Sequence, residues 1–106
     1  MEHLFVYGTL QDKRIQQKLF GRSVDGKDDL LSGYEKYRIR IPDNPSGIFY
    51  PAIKSSADQK NIVQGTLLQL DREELIKADR YEGNSYLRKK LNLESGITAW
   101  VYVAKS

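Results

Sequence analysis

The chain has 106 residues, of which 40% are hydrophobic, and this suits one small domain with a single core and no room for a second. It contains no cysteine and one histidine, His3, so disulfides, thiolate nucleophiles and multi-histidine zinc sites are excluded. The net charge of +3 and the pI of about 9.1 permit contact with nucleic acid or a membrane surface without requiring either. Any catalysis must use carboxylates, tyrosines, lysines and backbone amides.

No apolar run approaches the roughly 20 residues that a membrane-spanning helix needs. The first ten residues, MEHLFVYGTL, lack both a basic leader and a small-residue cleavage site, so they do not resemble a secretory signal. The sequence therefore predicts a cytoplasmic protein without a membrane partner.

The first half of the chain predicts a strand, a helix and a longer strand. Residues 3–7 are β-branched and aromatic up to a glycine, which indicates a strand. Residues 11–20 carry apolar side chains at helical spacing and end at a glycine, which indicates a helix. Residues 30–41 are typical of extended chain with a bend at Gly33. Residues 42–47 are rich in turn formers and predict a surface loop.

The second half predicts two strands and a helix before a closing hairpin. Residues 50–54 form a short extended segment, and residues 61–70 have the strongest strand pattern. Asp71, followed three residues later by Glu74, predicts a capping box at the start of the helix. Gly83 stands in the position that commonly ends a helix.

The last two predicted strands, residues 86–93 and 97–104, form a hairpin across Ser95 and Gly96. The pattern gives about six strands and two short helices in one domain, residues 1–106. It predicts an α+β fold built on a mixed, barrel-like sheet.

The segment Tyr7-Gly8-Thr9-Leu10 ends the first strand abruptly. Gly8 allows a sharp turn and a close approach to the backbone, and successive amides in such a turn can bind a carboxylate or an oxyanion. The same residues also fit a simple connection between strand and helix, so the pattern alone leaves both interpretations open.

Glu82 lies where the second predicted helix ends. It follows Leu75 by seven residues, which turns it toward the core, and the helix C-terminus disfavours its negative charge. Both effects raise the pKa of its carboxyl group and favour a proton acceptor near neutral pH. A solvated glutamate at a frayed helix end is the alternative.

Tyr86 and Arg88 share one face of the following strand, where a hydroxyl and a guanidinium can orient a ligand carboxylate. The alternative is a tyrosine that closes the core and an arginine on its rim. Trp100 and Tyr102 share a face of the last strand, where they either line the same cavity or pack in the core.

Basic side chains alternate with aliphatic ones in one predicted strand, at Lys36, Arg38 and Arg40. Small β-barrels with basic faces and exposed aromatic residues bind single-stranded nucleic acid. Acidic residues such as Glu35 are interspersed, which favours a solvated outer face.

Seven short motifs follow one another across nearly the whole chain: Tyr7-Gly8-Thr9-Leu10, Gly33-Tyr34, Tyr50-Pro51-Ala52, Val63-Gln64-Gly65-Thr66-Leu67, Ala78-Asp79-Arg80-Tyr81-Glu82-Gly83, Tyr86-Leu87-Arg88 and Ala99-Trp100-Val101-Tyr102. No single motif is specific, but their order is hard to obtain by chance. Together they resemble the gamma-glutamylcyclotransferase-like family. Ala78, where leucine is usual in that family, is the one visible departure.

The resemblance implies a small mixed β-barrel with short helices and a cavity that binds a gamma-glutamyl group. In the family, the free α-amine of that group attacks its γ-carbonyl, an amine leaves and 5-oxoproline forms. The glutamate that matches Glu82 is the catalytic acid/base, and we add Tyr86 as a supporting pocket residue. The matching substrate loop, which holds the substrate through main-chain contacts, is formed by Tyr7, Gly8, Thr9 and Leu10.

The resemblance also implies a small-molecule gamma-glutamyl substrate and no cofactor, metal, nucleic acid or membrane. Two alternatives remain: a non-catalytic domain that binds a small carboxylate, and a basic β-barrel that binds RNA. Nucleic-acid binding weakens steeply with salt, whereas a pocket for a small zwitterion depends on salt less. The leaving amine and the oligomeric state stay open at this point.

Overall fold

A computed structural model describes residues 1–40 and 49–105. These residues form seven strands, two α-helices and one short 3-10 turn. In chain order the elements are β1 (Glu2–Val6), the 3-10 turn (Thr9–Gln11), α1 (Lys13–Phe20), β2 (Lys27–Ser32), β3 (Tyr34–Arg40), β4 (Phe49–Ser55), β5 (Ile62–Leu70), α2 (Arg72–Glu82), β6 (Tyr86–Asn92) and β7 (Thr98–Ala104). The loop predicted at residues 42–47 lies outside the described residues.

The strands form two sheets. The larger has the order β2-β5-β1-β7-β6, in which β1 and β7 are parallel and the other neighbours antiparallel. The smaller is the antiparallel pair β3-β4. The predicted α+β class, mixed sheet and two helices are confirmed. In the part of the chain described, however, the sheets do not close into a barrel.

The additional strand arises at Gly33, where one predicted strand is divided between the two sheets. Gly33 has a φ of +79°, so the chain bends sharply there. Residues before it pair with β5 and residues after it pair with β4. The Gly33 amide donates to the Asn61 carbonyl (2.9 Å), and the Gly33 carbonyl accepts from the Ser56 amide (2.8 Å). The bend is thus fixed on both sides.

Both helices have side-chain caps at their first turn. The Asp12 carboxylate accepts from the Arg14 amide, so α1 begins two residues later than predicted. At α2 the predicted capping box is confirmed, with Asp71 and Glu74 each accepting from the other's amide at 2.8 and 3.0 Å. With 8 and 11 residues, neither helix has the length and apolar character that crossing a membrane requires.

Asp71→Ala is expected to lower the free energy of unfolding by about 1 kcal/mol, because one cap of α2 is lost. Glu74 keeps its ion pair with Arg22 (2.8 Å), so the helix should still form. Urea unfolding with Asp25→Ala as the control measures the difference, since Asp25 is exposed and lies outside both helices. Equal midpoints for the two variants would show that the cap contributes nothing.

The central strand β1 is buried on both faces. Leu4 and Val6 pack in one cluster with residues from α1 and α2, such as Phe20 and Leu75. Phe5 packs in a second cluster on the opposite face of the sheet. A strand held on both faces in this way fixes the position of the turn that follows it.

Candidate functional site

A small cavity lies at the carboxyl end of β1. It encloses about 30 Å³, room for roughly two water molecules, so its enclosed part fits one small polar group. The described residues that line it are Phe5, Val6, Tyr7, Gly8, Thr9, Tyr50, Pro51, Glu82, Tyr86 and Tyr102. The turn after β1 and the end of α2, far apart in the sequence, therefore meet at one site.

Five of the six predicted site residues line this cavity: Tyr7, Gly8, Thr9, Glu82 and Tyr86. The sixth, Leu10, does not. Its side chain is 1% exposed and belongs to the core cluster between sheet and helices. Any contact between Leu10 and a ligand must therefore come from its backbone, as the loop prediction assumed.

Glu82 is the one charged residue among the described lining residues. Its side chain is partly buried, and burial raises the pKa of its carboxyl group from 4.5 to about 7. The direction agrees with the sequence prediction, with burial as the cause. With a pKa of about 7, Glu82 is present near neutral pH both as a base and as an acid. Across residues 1–40 and 49–105, no three metal-ligating side chains come together.

The raised pKa of Glu82 predicts that folding stability falls between pH 4.5 and about 7. In this window the folded chain holds a proton that the unfolded chain has released, so raising the pH favours unfolding. Glu82→Gln removes this loss. The difference in free energy of unfolding between the variant and wild type should therefore rise by about 1–3 kcal/mol as the pH increases through this window, and it should stay constant above the window. Urea unfolding of both proteins at several pH values measures this. A stability difference that does not vary with pH would contradict the burial of the carboxylate.

The hydroxyl hydrogens of Tyr7 and Tyr86 are already used within the protein. Tyr7 donates to the Tyr102 carbonyl (2.5 Å), and Tyr86 donates to the Pro51 carbonyl (2.9 Å). Burial raises the pKa of both phenols, that of Tyr86 to about 12, so both stay neutral. Each offers a ligand only its oxygen lone pairs. The interpretation in which the Tyr86 hydroxyl orients a ligand carboxylate is therefore not supported by these contacts: together with Glu82, these oxygens suit an ammonium group.

The turn at Thr9–Gln11 follows Gly8 directly, and Gly8 and Thr9 both line the cavity. The Gln11 amide donates to the Gly8 carbonyl (3.1 Å), which leaves the first amides of the turn without acceptors inside it. The Thr9 and Tyr81 hydroxyls are hydrogen-bonded at 2.7 Å. This bond joins the turn to the residue just before Glu82.

Five lining residues were missed as site residues in the sequence: Phe5, Val6, Tyr50, Pro51 and Tyr102. Tyr50 and Pro51 belong to the Tyr-Pro-Ala motif, which was the available signal. The sequence left open whether Tyr102 lines a cavity or packs in the core. The structure shows that it does both.

Arg88 and Trp100 do not line the cavity. The Arg88 guanidinium lies 4.2 Å from the centre of the Trp100 ring and donates from Nη2 to Asp79 Oδ2 (3.1 Å). The hypotheses that Arg88 orients a ligand carboxylate and that Trp100 lines the cavity are therefore not supported by this geometry.

Comparison with known proteins places these observations in a family. The family model described as "Gamma-glutamyl cyclotransferase, AIG2-like" matches residues 4–106. AIG2-like proteins C and A of Arabidopsis thaliana are 32% and 30% identical over 91 and 89 residues, which is 85% and 83% of this chain. The matches cover 48% and 49% of those relatives, so the chain spans about half the length of the curated relatives it matches.

Solved structures share the fold. The solution structure of At3g28950.1 from Arabidopsis thaliana has a TM-score of 0.74 and 27% identity, over 97% of this chain and 61% of the other. A gamma-glutamyl cyclotransferase structure has a TM-score of 0.78 at 16% identity, over 99% of this chain and 67% of the other. Since the family model matches nearly the whole sequence and the fold agrees with it, this chain belongs to the gamma-glutamyl cyclotransferase, AIG2-like family.

Proposed function

We propose that this chain converts a gamma-glutamyl amine or peptide into 5-oxoproline and a free amine by intramolecular aminolysis. The observation that carries the proposal is the Glu82 carboxyl group, with a pKa of about 7, in the same cavity as the Gly8–Thr9 turn. In this proposal one group accepts and returns a proton, beside backbone amides that suit an oxyanion.

The polarity of the cavity suggests how the substrate lies. The α-ammonium group fits against Glu82 and the phenol oxygens of Tyr7 and Tyr86, which are acceptors. The γ-carbonyl oxygen fits at the amides that begin the 3-10 turn. This arrangement brings the α-nitrogen and the γ-carbon together, as formation of a five-membered ring requires.

The reaction then needs one proton accepted and one returned. Glu82 takes a proton from the α-ammonium group, and the freed amine attacks the γ-carbon. The carbonyl π electrons move to the oxygen, which the turn amides stabilise. As the tetrahedral intermediate collapses, the bond to the leaving nitrogen breaks and protonated Glu82 donates to that nitrogen. The second proton of the attacking nitrogen is lost to solvent, which leaves the neutral ring amide of 5-oxoproline.

The expected contributions are large enough for an enzyme. Because the nucleophile is tethered to its target, proximity contributes on the order of 7–11 kcal/mol at its favourable limit. General acid–base catalysis contributes ~10²–10⁴-fold in rate. Neither contribution requires a group beyond those that line the cavity.

Release of 5-oxoproline from a panel of gamma-glutamyl compounds, followed by mass spectrometry, tests the proposal. The panel should include amino acid, lysine side-chain and simple alkylamine leaving groups. Turnover of at least one class is expected. Calorimetric binding without turnover of any class would instead support a domain that binds a small carboxylate. Salt-sensitive RNA binding with no binding of gamma-glutamyl compounds would overturn both.

A further inference from the structure

A second set of charged side chains lies beside the cavity, behind Tyr102. Asp79 Oδ1 accepts a hydrogen bond from the Tyr102 hydroxyl at 2.6 Å, and Asp79 Oδ2 accepts from Arg88 Nη2 at 3.1 Å. Asp79 and Arg88 line a cleft of their own, and Tyr86 and Tyr102 line both this cleft and the cavity. The two tyrosines therefore form the wall between the ion pair and Glu82.

The Asp79 carboxylate is shared between Tyr102 and Arg88. Arg88 Nε lies 3.0 Å from Asp79 Oδ1, yet this buried nitrogen has no aligned hydrogen-bond acceptor among the described residues. Oδ1 therefore makes an ionic contact with Arg88 and an aligned hydrogen bond with Tyr102, and Oδ2 accepts from Arg88 Nη2.

Asp79 is connected to the site through two paths. It precedes Glu82 by three residues, so both lie in the last turns of α2. Tyr102, which it holds, accepts the Tyr7 hydroxyl at its own carbonyl. Through these contacts the end of α2 is attached to β6 and β7 at the point where β1 reaches the cavity.

The titratable groups that face Glu82 are otherwise neutral phenols. They are Tyr7, just after β1, Tyr86 of β6 and Tyr102 of β7, and the pKa of each is raised by burial and, to a smaller extent, by Glu82. Tyr37 of β3 and Tyr50 of β4 also raise the pKa of Tyr86, to a smaller extent than burial does. Arg80 of α2 is exposed. Among the described residues that line the cavity or the cleft, Asp79 and Arg88 are the charged groups next to Glu82.

We propose that Asp79 is a positioning residue for Glu82. It neutralises Arg88, so that no unpaired cation stabilises the Glu82 carboxylate, and it holds Tyr102 and the end of α2 against the sheet. The inference rests on the proposed role of Glu82, and it adds that this role depends on the Asp79–Arg88 pair.

The direct test is a pH titration of the Glu82 side-chain carboxyl by ¹³C NMR, in the ligand-free protein. Asp79→Asn leaves the Arg88 cation unpaired, so the midpoint should fall by about half a pH unit or more. Arg88→Gln leaves the Asp79 anion unpaired, so the midpoint should rise. The double variant restores neutrality, and its midpoint should return toward that of wild type. Arg88→Lys, which keeps the charge, is the matched control.

Opposite shifts in the two single variants support the proposal, because a purely structural defect would not move the midpoint in opposite directions. An unchanged midpoint in both would overturn it, as would shifts of the same sign. If Asp79→Asn does not fold, the comparison of Arg88→Gln with Arg88→Lys decides alone. It is suitable because Arg88 lies on the rim of the cleft, with 24% of its side chain exposed. Equal midpoints for these two variants would overturn the proposal.

The NMR titration needs no turnover, so it separates this inference from the proposed function. Should the chain turn over a gamma-glutamyl compound, the rising limb of the pH–rate profile must shift in the same directions as the NMR midpoints. Opposite NMR shifts without any turnover would retain the electrostatic coupling and refute only the proposed reaction.

Discussion

Glu82→Gln is expected to lower kcat for 5-oxoproline release by ~10²–10⁴-fold, while the Kd for a gamma-glutamyl ligand changes only a few-fold. Glutamine keeps the size of the side chain and can still accept a hydrogen bond, but it cannot take a proton from the α-ammonium group. The loss should therefore appear in kcat. In the wild type, kcat/KM should rise with pH through about 7, where Glu82 ionises, and this rise should be missing from the residual activity of the variant.

The matched control for this experiment is Glu73→Gln on the same helix. Glu73 is exposed in the first turn of α2, so its replacement removes the same charge without touching the cavity. Its kcat should stay within about two-fold of wild type. Near-wild-type 5-oxoproline release by Glu82→Gln would exclude Glu82 as the acid/base, and an equal loss in both variants would indicate a general effect of charge.

Features set by neighbouring residues could be predicted from the sequence. The capping box of α2 needs only Asp71 and Glu74 three residues apart, and the helix ends where Gly83 takes a positive φ. The inward tilt of Glu82 follows from helical periodicity after Leu75. Each of these features depends on contacts within about one or two helical turns. Tertiary packing therefore has little effect on them.

Features set by pairing across the fold could not be predicted. The alternation that indicates a strand on both sides of Gly33 does not say that β2 and β3 join different sheets. Likewise, the motif that contains Tyr86 does not show that its hydroxyl donates to the Pro51 carbonyl, 35 residues away. That one bond changes the chemistry of Tyr86 from donor to acceptor, and only the placement of β4 beside β6 and β7 reveals it.

The pairing of Asp79 with Arg88 lies between features set by neighbouring residues and features set by pairing across the fold. Both residues stand in recognised motifs, and nine positions separate them. The sequence left Arg88 free to bind a ligand carboxylate, because nothing in its spacing shows that the turn after Gly83 folds β6 back toward α2. Arg88 is held by Asp79 and does not line the cavity, so it is no counter-charge within it, and burial raises the pKa of Glu82 there.

Gly8→Val is expected to abolish measurable binding of a gamma-glutamyl ligand, with a KM or Kd increase of at least about 100-fold. A Cβ at this position would lie 2.9 Å from Cγ of Pro51, a rigid ring whose carbonyl holds the Tyr86 hydroxyl. To accommodate valine, either the turn or Pro51 must move, and both line the cavity. Overpacking of this kind also lowers the free energy of unfolding by about 1–3 kcal/mol, so Tm is measured beside ligand affinity.

Three further variants separate loss of the site from loss of stability. Gly21→Ala is the matched control: Gly21 has a φ of +75°, and no atom of the described residues would lie within 4 Å of a Cβ there, so alanine should lower Tm through backbone strain and leave affinity intact. Gly8→Ala places the same Cβ against Pro51 with the least added volume, and combining it with Pro51→Ala removes the Cγ that it meets. Affinity should fall in Gly8→Ala and recover in part in the double variant. A folded Gly8→Val protein that binds the ligand as wild type does would show that the turn is only a connection between β1 and α1.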